Sequence, residues 1–339
     1  MNFERPLFVA EISANHLGSF SRAKELVHAA IEAGAGAVKL QTYTAATMTL
    51  DISTEAFRIS AEHELWGGRK LYELYEEAHT PWEWHSELFQ ICRNAGVIPF
   101  SSPFDSSAID FLESLNAPMY KIASMESGDI PLITKAALTG KPIIISTGGT
   151  SISEVGEAVD ACKLAGNNQI TLLVCTSSYP AAPEDANLLR IKKLQQDFNV
   201  DVGVSDHSLG IGVSLAAISL GAKVIEKHFT LKRSDGGADG QFSMEPEEFA
   251  DLVKEGTDAF AALGTGNWDK IKAEDESRRL RRSLYIVRDV NLGEKVTEEN
   301  VRAIRPNGGE SPKHLPNILG KTFNKPLPIG SPLKLEYLD

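Results

Sequence analysis

The strongest constraint on the fold is a regular alternation of apolar, β-rich runs with helical patterns from residue 7 to about residue 263. Short apolar runs bounded by turn residues are typical of buried strands, and the segments between them have the periodicity of amphipathic helices. The predicted strands are 7–12, 37–42, 97–101, 120–124, 142–147, 171–176, 201–205 and 223–229. The predicted helices are 20–34, 82–95, 106–115, 130–139, 152–165, 187–197, 210–220 and 246–263.

Eight strand-then-helix units over about 260 residues predict an α/β fold of the (β/α)8 or TIM-barrel type, because this is the usual size of that barrel. The alternation alone also fits a doubly wound open sheet, but the sequence has no Rossmann glycine fingerprint, which favours the barrel. Residues 43–80 form a long insertion after the second strand. Long loops on that side of a barrel are commonly lids or binding loops.

The composition changes after Gly266. We predict a catalytic barrel domain at 1–266, a charged linker at 267–282 and a small module of short strands and turns at 283–339. The module has about 55 residues, near the lower limit for independent folding.

Charge and cysteine content indicate which ligands the protein binds and in which compartment it is expected to work. The net charge of −12 argues against nucleic-acid binding and requires that an anionic substrate be met by a local cluster of cations. Three widely spaced cysteines without a CxxC motif indicate a reducing compartment. No signal-peptide pattern and no apolar run long enough to cross a bilayer is visible, so we expect a soluble cytoplasmic protein that does not interact with membranes.

Polar residues collect at the carboxyl ends of the predicted strands, the barrel face that carries active sites. Lys39 and Lys121 lie in otherwise apolar strands, where a lysine is unfavourable unless an anion pairs with it. One interpretation pairs them with Glu11 or Glu126. The other, supported by nearby hydroxyls and by the Ser-Thr-Gly-Gly-Thr loop at 146–150, is a phosphate or carboxylate site.

Two histidines end neighbouring strands, and their rings are predicted to reach one ion. His207 and His228 lie beside Asp206 and Glu226, and such mixed nitrogen and oxygen ligands suit Mn²⁺, Fe²⁺, Co²⁺ or Zn²⁺. A purely structural role for both histidines is the alternative. Cys175 is predicted to be a core thiol.

Eight motifs, in order, resemble the sialic acid synthase family over nearly the whole chain. They lie at residues 10–16, 34–43, 100–104, 120–124, 145–148, 175–180, 203–208 and 225–229. The C-terminal module resembles the antifreeze-like (SAF) domain of that family, notably at 301–306. Within the family, the insertion most resembles that of pseudaminic acid synthases.

The resemblance implies a transferase that forms a C–C bond. Phosphoenolpyruvate would condense with the open-chain aldehyde of an N-acetylated amino sugar, 2,4-diacetamido-2,4,6-trideoxy-L-altrose in the pseudaminic acid branch. The products would be a nine-carbon 2-keto acid and phosphate, released by C–O cleavage. The alternatives are N-acetylneuraminate or legionaminate synthesis by the same chemistry, a metal-dependent aldolase or isomerase, and a carbohydrate-binding protein.

The resemblance also implies roles for individual residues. Glu11, Lys39, Lys121, His207 and His228 would be catalytic, with Mn²⁺, or alternatively Mg²⁺ or Co²⁺, on the two histidines. The residues implied to bind phosphoenolpyruvate are Lys39, Ser102, Lys121, Ser124, Ser146 and Ser205. Those implied to bind the sugar are Gln41, Glu126, Tyr179, Asp239 and Arg305. A homodimer is implied, in which Arg305 of the C-terminal domain completes the partner's active site.

Overall fold

The computed structural model describes residues 5–61, 66–268 and 271–339. The chain divides into two compact units, Met1–Gly264 and Thr265–Asp339. The larger unit is a closed barrel in which eight parallel strands follow one another in chain order. This confirms the predicted TIM barrel and excludes the open sheet. The strands are β1 Leu7–Glu11, β2 Ala37–Thr42, β3 Ile98–Pro103, β4 Tyr120–Ile122, β5 Ile143–Ser146, β6 Ile170–Cys175, β7 Asp201–Ser205 and β8 Val224–His228.

Helices surround the barrel and pack their apolar faces against the strands. Helix boundaries follow local capping chemistry: the side chain of Ser19 accepts a hydrogen bond from the amide of Arg22 at the first helix, and Ser151 and Glu154 form a capping box at another. The helices of this unit are α1 Phe20–Glu32, α2 Ala45–Met48, α3 Leu71–Ala78, α4 His85–Asn94, α5 Ser106–Ser114, α6 Ile130–Leu138, α7 Ile152–Leu164, α8 Arg190–Phe198, α9 Gly212–Ser219 and α10 Pro246–Ala262. Two of them, α2 and α3, belong to the insertion at 43–80.

The barrel interior is filled by alternate residues of the strands. Val9, Phe100 and Leu173 belong to an apolar cluster at its lower level. Because side chains alternate between the two faces of a strand, the residue two positions further along faces the same way. In these three strands that residue is Glu11, Ser102 or Cys175, so the interior changes from apolar to polar towards the carboxyl ends of the strands.

Gly203 of β7 is required by the close packing of the barrel. A Cβ atom at this position would lie 2.2 Å from the carbonyl oxygen of Val224 in β8. Backbone cannot yield to such a contact as a flexible side chain does, so only glycine fits between these strands.

The smaller unit has its own core and a two-stranded antiparallel sheet. Strands β9 (Ser283–Ile286) and β10 (Val301–Ile304) pair so that Val301 lies opposite Ile286 and Ile304 opposite Ser283. This unit also contains the short helices α11 Asp275–Arg279 and α12 Leu315–Ile318. Its core residues are Leu284, Ile286, Val290, Val296, Val301, Ile318, Phe323, Leu327 and Leu333. In the described part of the whole chain, no helix is both long and apolar enough to span a membrane.

Candidate active site

A cavity of about 530 Å³ lies at the carboxyl ends of the barrel strands. Its floor is polar and comes from the strand ends and the loops that follow them, whereas residues of the insertion form an apolar wall. The polar lining residues include Lys39, Gln41, Lys121, Ser124, Glu126, Ser146, Cys175, Ser177, Tyr179, Ser205, His207, Glu226, His228 and Asp239.

Glu226 is the hub of a buried charge cluster on this floor. Its Oε1 lies 3.0 Å from Nζ of Lys121 and 3.2 Å from Nζ of Lys39, and it accepts a hydrogen bond of 2.9 Å from Oγ of Ser205. Lys39 is also 2.6 Å from Oε2 of Glu11. No side chain of these ion pairs is more than 5% exposed. The cluster therefore joins two lysines to two glutamates with a formal charge near zero.

The charges of this cluster shift one another's protonation. Burial lowers the pKa of Lys39 to about 7, although the attraction of Glu226 opposes that shift. Burial also acts to raise the pKa of Glu226, but Lys121 and Lys39 outweigh it and hold that pKa well below its usual range. Glu226 is thus a firmly ionised carboxylate between two ammonium groups.

The sequence allowed two interpretations of the lysines, ion pairs with glutamates or an anion-binding site, and the structure has features of both. Lys39 pairs with Glu11, as one of them expected, whereas Lys121 forms its ion pair with Glu226 and not with Glu126. Both ammonium groups nevertheless line the cavity, as an anion-binding site requires.

His207 and His228 lie side by side, with ring centroids 5.3 Å apart. Nδ1 of His207 is 3.0 Å from the carbonyl oxygen of Thr176, which places the proton on Nδ1 and leaves Nε2 as the lone-pair nitrogen. Nδ1 of His228 is buried, has no hydrogen-bond partner in the described structure, and lies 3.9 Å from Oδ2 of Asp239. Burial lowers the pKa of His228 well below its ordinary value, so its ring is neutral, the form that binds metals.

Asp206, one of the two carboxylates predicted to lie beside the histidines, forms hydrogen bonds and an ion pair with other residues. Asp206 accepts hydrogen bonds from the amide of Ser208 (2.9 Å) and from Oγ of Ser214 (2.7 Å), and it pairs with buried Lys227 at 3.2 Å. Its oxygens are therefore engaged by Ser208, by Ser214 of α9 and by Lys227 of β8. Among the residues described, no set of three or more His, Cys, Asp or Glu side chains forms a ready metal site.

Cys175 differs in part from its prediction. It is buried, but it lines the cavity, and its Sγ lies 4.0 Å from Nδ1 of His207. Burial acts to raise the pKa of the thiol, but His207, Ser124 and Lys121 together outweigh burial and lower that pKa to about 7. Cys175 is thus buried, as the prediction of a core thiol expects, and it also faces the cavity, which that prediction did not include. Cys175 follows Leu173 on the inward face of β6, and the same alternation that located the lysines would have found it.

The predicted serines fall into two groups. Ser124, Ser146 and Ser205 line the cavity; Oγ of Ser146 is buried without a partner in the described part of the chain, and Oγ of Ser124 accepts a 3.1 Å hydrogen bond from the amide of Gly148. Ser102 is buried but is not among the lining residues. Glu11 is likewise fully buried and contacts the cavity lining through Lys39 and the amide of Ser13.

Four of the five predicted sugar-binding residues line the same cavity: Gln41, Glu126, Tyr179 and Asp239. Burial raises the pKa of Glu126 to about 7 and raises the pKa of Asp239 above its ordinary range. The Tyr179 ring lies 4.5 Å from that of His207. The fifth residue, Arg305, is exposed and belongs to the smaller unit.

Sequence reasoning missed part of the site. It placed Glu226 beside the histidines but did not predict its ion pairs with Lys39 and Lys121. The insertion, predicted to be a lid or binding loop, contributes these residues to the cavity lining: Tyr43, Met48, Ile59, Trp66, Leu71, Leu74, Tyr75 and Ala78.

Comparison with known proteins places this site in a family. Residues 26–268 match the NeuB family, and residues 281–338 match the SAF domain. The chain belongs to the NeuB family. This confirms the resemblance to sialic acid synthases and the small SAF domain that follows the barrel.

Members of the NeuB family and solved structures are similar to the chain along most of its length. A pseudaminic acid synthase of Helicobacter pylori is 45% identical over 336 residues, which cover 98% of each chain. An N,N'-diacetyllegionaminic acid synthase of Legionella pneumophila is 38% identical and covers 98% of this chain and 94% of its own. The crystal structure of an N-acetylneuraminic acid synthetase from Leptospira borgpetersenii, in complex with citrate, has a TM-score of 0.71 at 32% identity and covers 81% of this chain and 90% of its own.

Proposed function

We propose that this protein is a pseudaminic acid synthase. It condenses phosphoenolpyruvate with the open-chain aldehyde of 2,4-diacetamido-2,4,6-trideoxy-L-altrose and yields a nine-carbon 2-keto acid and inorganic phosphate. The observation that carries this proposal is the convergence of Lys39, Lys121, His207 and His228 on one cavity floor. The choice of sugar is supported by the 45% identity to the Helicobacter pylori synthase over nearly the full chain.

Phosphoenolpyruvate binds at the lysine side of the floor. Its phosphate and carboxylate need cationic and hydroxyl donors, and the floor of the cavity supplies them from Lys39, Lys121, Ser124, Ser146 and Ser205. Ser146 supports this assignment because its buried hydroxyl has no partner within the residues described.

A divalent ion, Mn²⁺ or alternatively Mg²⁺ or Co²⁺, fits the histidine side. His207 and His228 would hold it, since the contact of Nδ1 with Thr176 leaves Nε2 of His207 as the donor nitrogen, and His228 has a buried Nδ1 without a partner among the described residues. Two imidazoles leave coordination positions for water and substrate oxygens. When bound, such an ion supplies Lewis-acid polarisation of the aldehyde oxygen.

The C3 carbon of phosphoenolpyruvate attacks the sugar aldehyde carbon and forms the new C–C bond, and the aldehyde oxygen takes up a proton. Water adds to the cationic C2 and gives up one proton, which balances the proton taken up by the aldehyde oxygen. The C2–O bond to phosphate then breaks as the C2 hydroxyl becomes the ketone, and the hydroxyl proton leaves with inorganic phosphate. The charge that develops at C2 is stabilised by carboxylates fixed in advance near the floor.

We assign Glu11 to this electrostatic role and not to that of a base on water. Glu11 has no surface exposure, does not line the cavity, and uses Oε2 for Lys39 and Oε1 for the amide of Ser13 at 2.8 Å. A general base must reach the proton that it removes, whereas a buried carboxylate acts through its field.

The test is to incubate the pure protein with phosphoenolpyruvate, Mn²⁺ and each sugar in turn, measuring phosphate release and product mass. We expect efficient turnover of the 2,4-diacetamido-2,4,6-trideoxy-L-altro sugar. Preferred turnover of the legionaminate precursor, which the 38% identity to the Legionella synthase makes the second candidate, would change the sugar but not the chemistry. Aldol chemistry or isomerisation without phosphoenolpyruvate and without phosphate release would overturn the proposal.

We also propose a homodimer in which Arg305 completes the partner's site. Arg305 is exposed on the small SAF unit, where it is available to a second chain. The test is to co-express His207→Ala and Arg305→Ala chains. Each variant alone should be nearly inactive, whereas purified mixed dimers should recover about half of wild-type activity, because one of their two sites holds both residues intact. No recovery in purified mixed dimers would contradict this architecture.

A further inference from the structure

We propose that the apolar wall formed by Met48, Ile59, Leu71 and Leu74 recognises the methyl group at C6 of the sugar. This wall makes the 6-deoxy end of the substrate a determinant of specificity. The inference rests on the proposed function. It assigns a role to the cavity lining contributed by the insertion, which the condensation reaction itself does not require.

The wall differs sharply from the floor in chemistry. All four residues come from the insertion at 43–80 and line the same cavity as the lysines and histidines. Leu74 is only 7% exposed, and Met48, Ile59 and Leu71 are half-buried, so the wall is a packed surface and not a set of loose side chains. An apolar surface of this kind gains free energy from contact with a methyl group but offers no partner to a hydroxyl.

The direction of the substrate follows from the reaction. The aldehyde carbon, C1, must meet phosphoenolpyruvate at the floor beside His207 and His228. C6 is five bonds away, about 6 Å in an extended chain. The inference places C6 on the side of the cavity lined by the insertion, away from the reacting carbon.

The expected preference between the 6-deoxy and 6-hydroxy sugars follows from how strongly an apolar pocket distinguishes two substrates. Such a pocket rejects an added hydroxyl by a factor of about 100 at most, and it distinguishes a single methylene by about 10- to 200-fold. We expect the wild-type kcat/KM for the 6-deoxy sugar to exceed that for its 6-hydroxy counterpart by about 10- to 100-fold.

The test compares these two sugars with the full-length protein and two polar variants. Ile59→Thr and Met48→Gln each place a polar group in the wall. We expect either change to lower the preference for the 6-deoxy sugar by about tenfold, chiefly through KM, because binding to the wall is the same in the ground and transition states. Ile52→Thr is the matched control, since Ile52 lies on the same insertion, is 41% exposed and does not line the cavity.

The outcomes separate the inference from the proposed function. Equal kcat/KM for the two sugars in the wild-type protein, or an unchanged preference in folded Ile59→Thr and Met48→Gln, would overturn the role of the wall and leave the synthase intact. A preference that falls equally in Ile52→Thr would also overturn it. No phosphate release with either sugar would overturn the proposed function and this inference with it.

Discussion

Glu226 is predicted to stabilise the barrel by compensating two buried lysines. Its Oε1 lies within 3.2 Å of both Nζ atoms, and its side chain is 4% exposed. Replacing Glu226 with Gln removes the shared negative charge and leaves Lys121 without an ion-pair partner, while Lys39 keeps Glu11. Loss of one member of a buried ion pair typically lowers the free energy of unfolding by about 3–5 kcal/mol.

The expected effect on thermal stability is large enough to measure. For a domain of this size, 1 kcal/mol corresponds to about 2 °C in Tm, so Glu226→Gln should lower Tm by about 6–10 °C. The double variant Glu226→Gln/Lys121→Met should recover part of this loss, because it removes the uncompensated charge and leaves the pair of Lys39 with Glu11.

The assay is thermal unfolding of the substrate-free protein followed by circular dichroism. Asp197→Asn is a matched control, because it breaks an exposed ion pair with Lys193 (2.9 Å) and should change stability by less than about 1 kcal/mol. A Tm of Glu226→Gln within 2 °C of wild type, given the expected loss of about 3 kcal/mol or more, would refute the reasoning. So would a double variant less stable than Glu226→Gln alone.

Three further predictions concern single positions. Gly203→Ala should give a poorly folded barrel, seen as loss of soluble protein or of cooperative unfolding, because its Cβ would lie 2.2 Å from the carbonyl oxygen of Val224; a soluble variant with wild-type Tm would contradict the packing. Because burial lowers the pKa of Lys39 from 10.5 to about 7, the unfolded chain binds more protons between these values, so the Lys39 contribution makes stability rise as pH increases through this window. Over the same window KM for phosphoenolpyruvate should rise as the ammonium is lost, and an unchanged KM up to pH 9 would exclude Lys39 as an anion ligand. His207→Ala or His228→Ala should abolish turnover and weaken Mn²⁺ binding measured by calorimetry, and full activity in metal-free buffer would remove the metal from the mechanism.

Much of the fold was predictable because strand alternation and helix caps are local signals. Each predicted strand overlaps an observed one, and boundaries moved where local structure ends a strand early. The fourth strand stops at Ile122, for instance, and Ser124 begins a short 3-10 helix. Helix α4 begins at His85 because residues Trp82–Trp84 form a 3-10 turn before it.

The charge cluster was less accessible to sequence reasoning because it crosses the barrel. Lys121 lies on β4 and Glu226 on β8, which are on opposite sides of an eight-stranded ring. Alternation shows that both side chains point inwards, but it gives no distance between opposite strands. Adjacency in sequence was also a poor guide to contacts in the site. Asp206 is next to His207 in sequence, but successive side chains of a strand point to opposite faces, so Asp206 points away from the barrel interior and pairs with Lys227.

The near-zero charge of the floor predicts that metal and phosphoenolpyruvate bind cooperatively. Lys39 and Lys121 are already matched by Glu11 and Glu226, so the protein alone offers little uncompensated positive charge to a ligand that carries both a phosphate and a carboxylate. A divalent ion on the histidines would supply the missing charge in the same cavity, and thermodynamic linkage requires that each ligand raise the affinity of the other by the same factor. We expect that factor to be about 5- to 150-fold, measured by calorimetric titration of phosphoenolpyruvate with and without Mn²⁺ and of Mn²⁺ with and without phosphoenolpyruvate. If phosphoenolpyruvate bound equally well without the ion, the lysines would have to release their glutamates to bind it, and the floor would not be the fixed, neutral cluster that the structure shows.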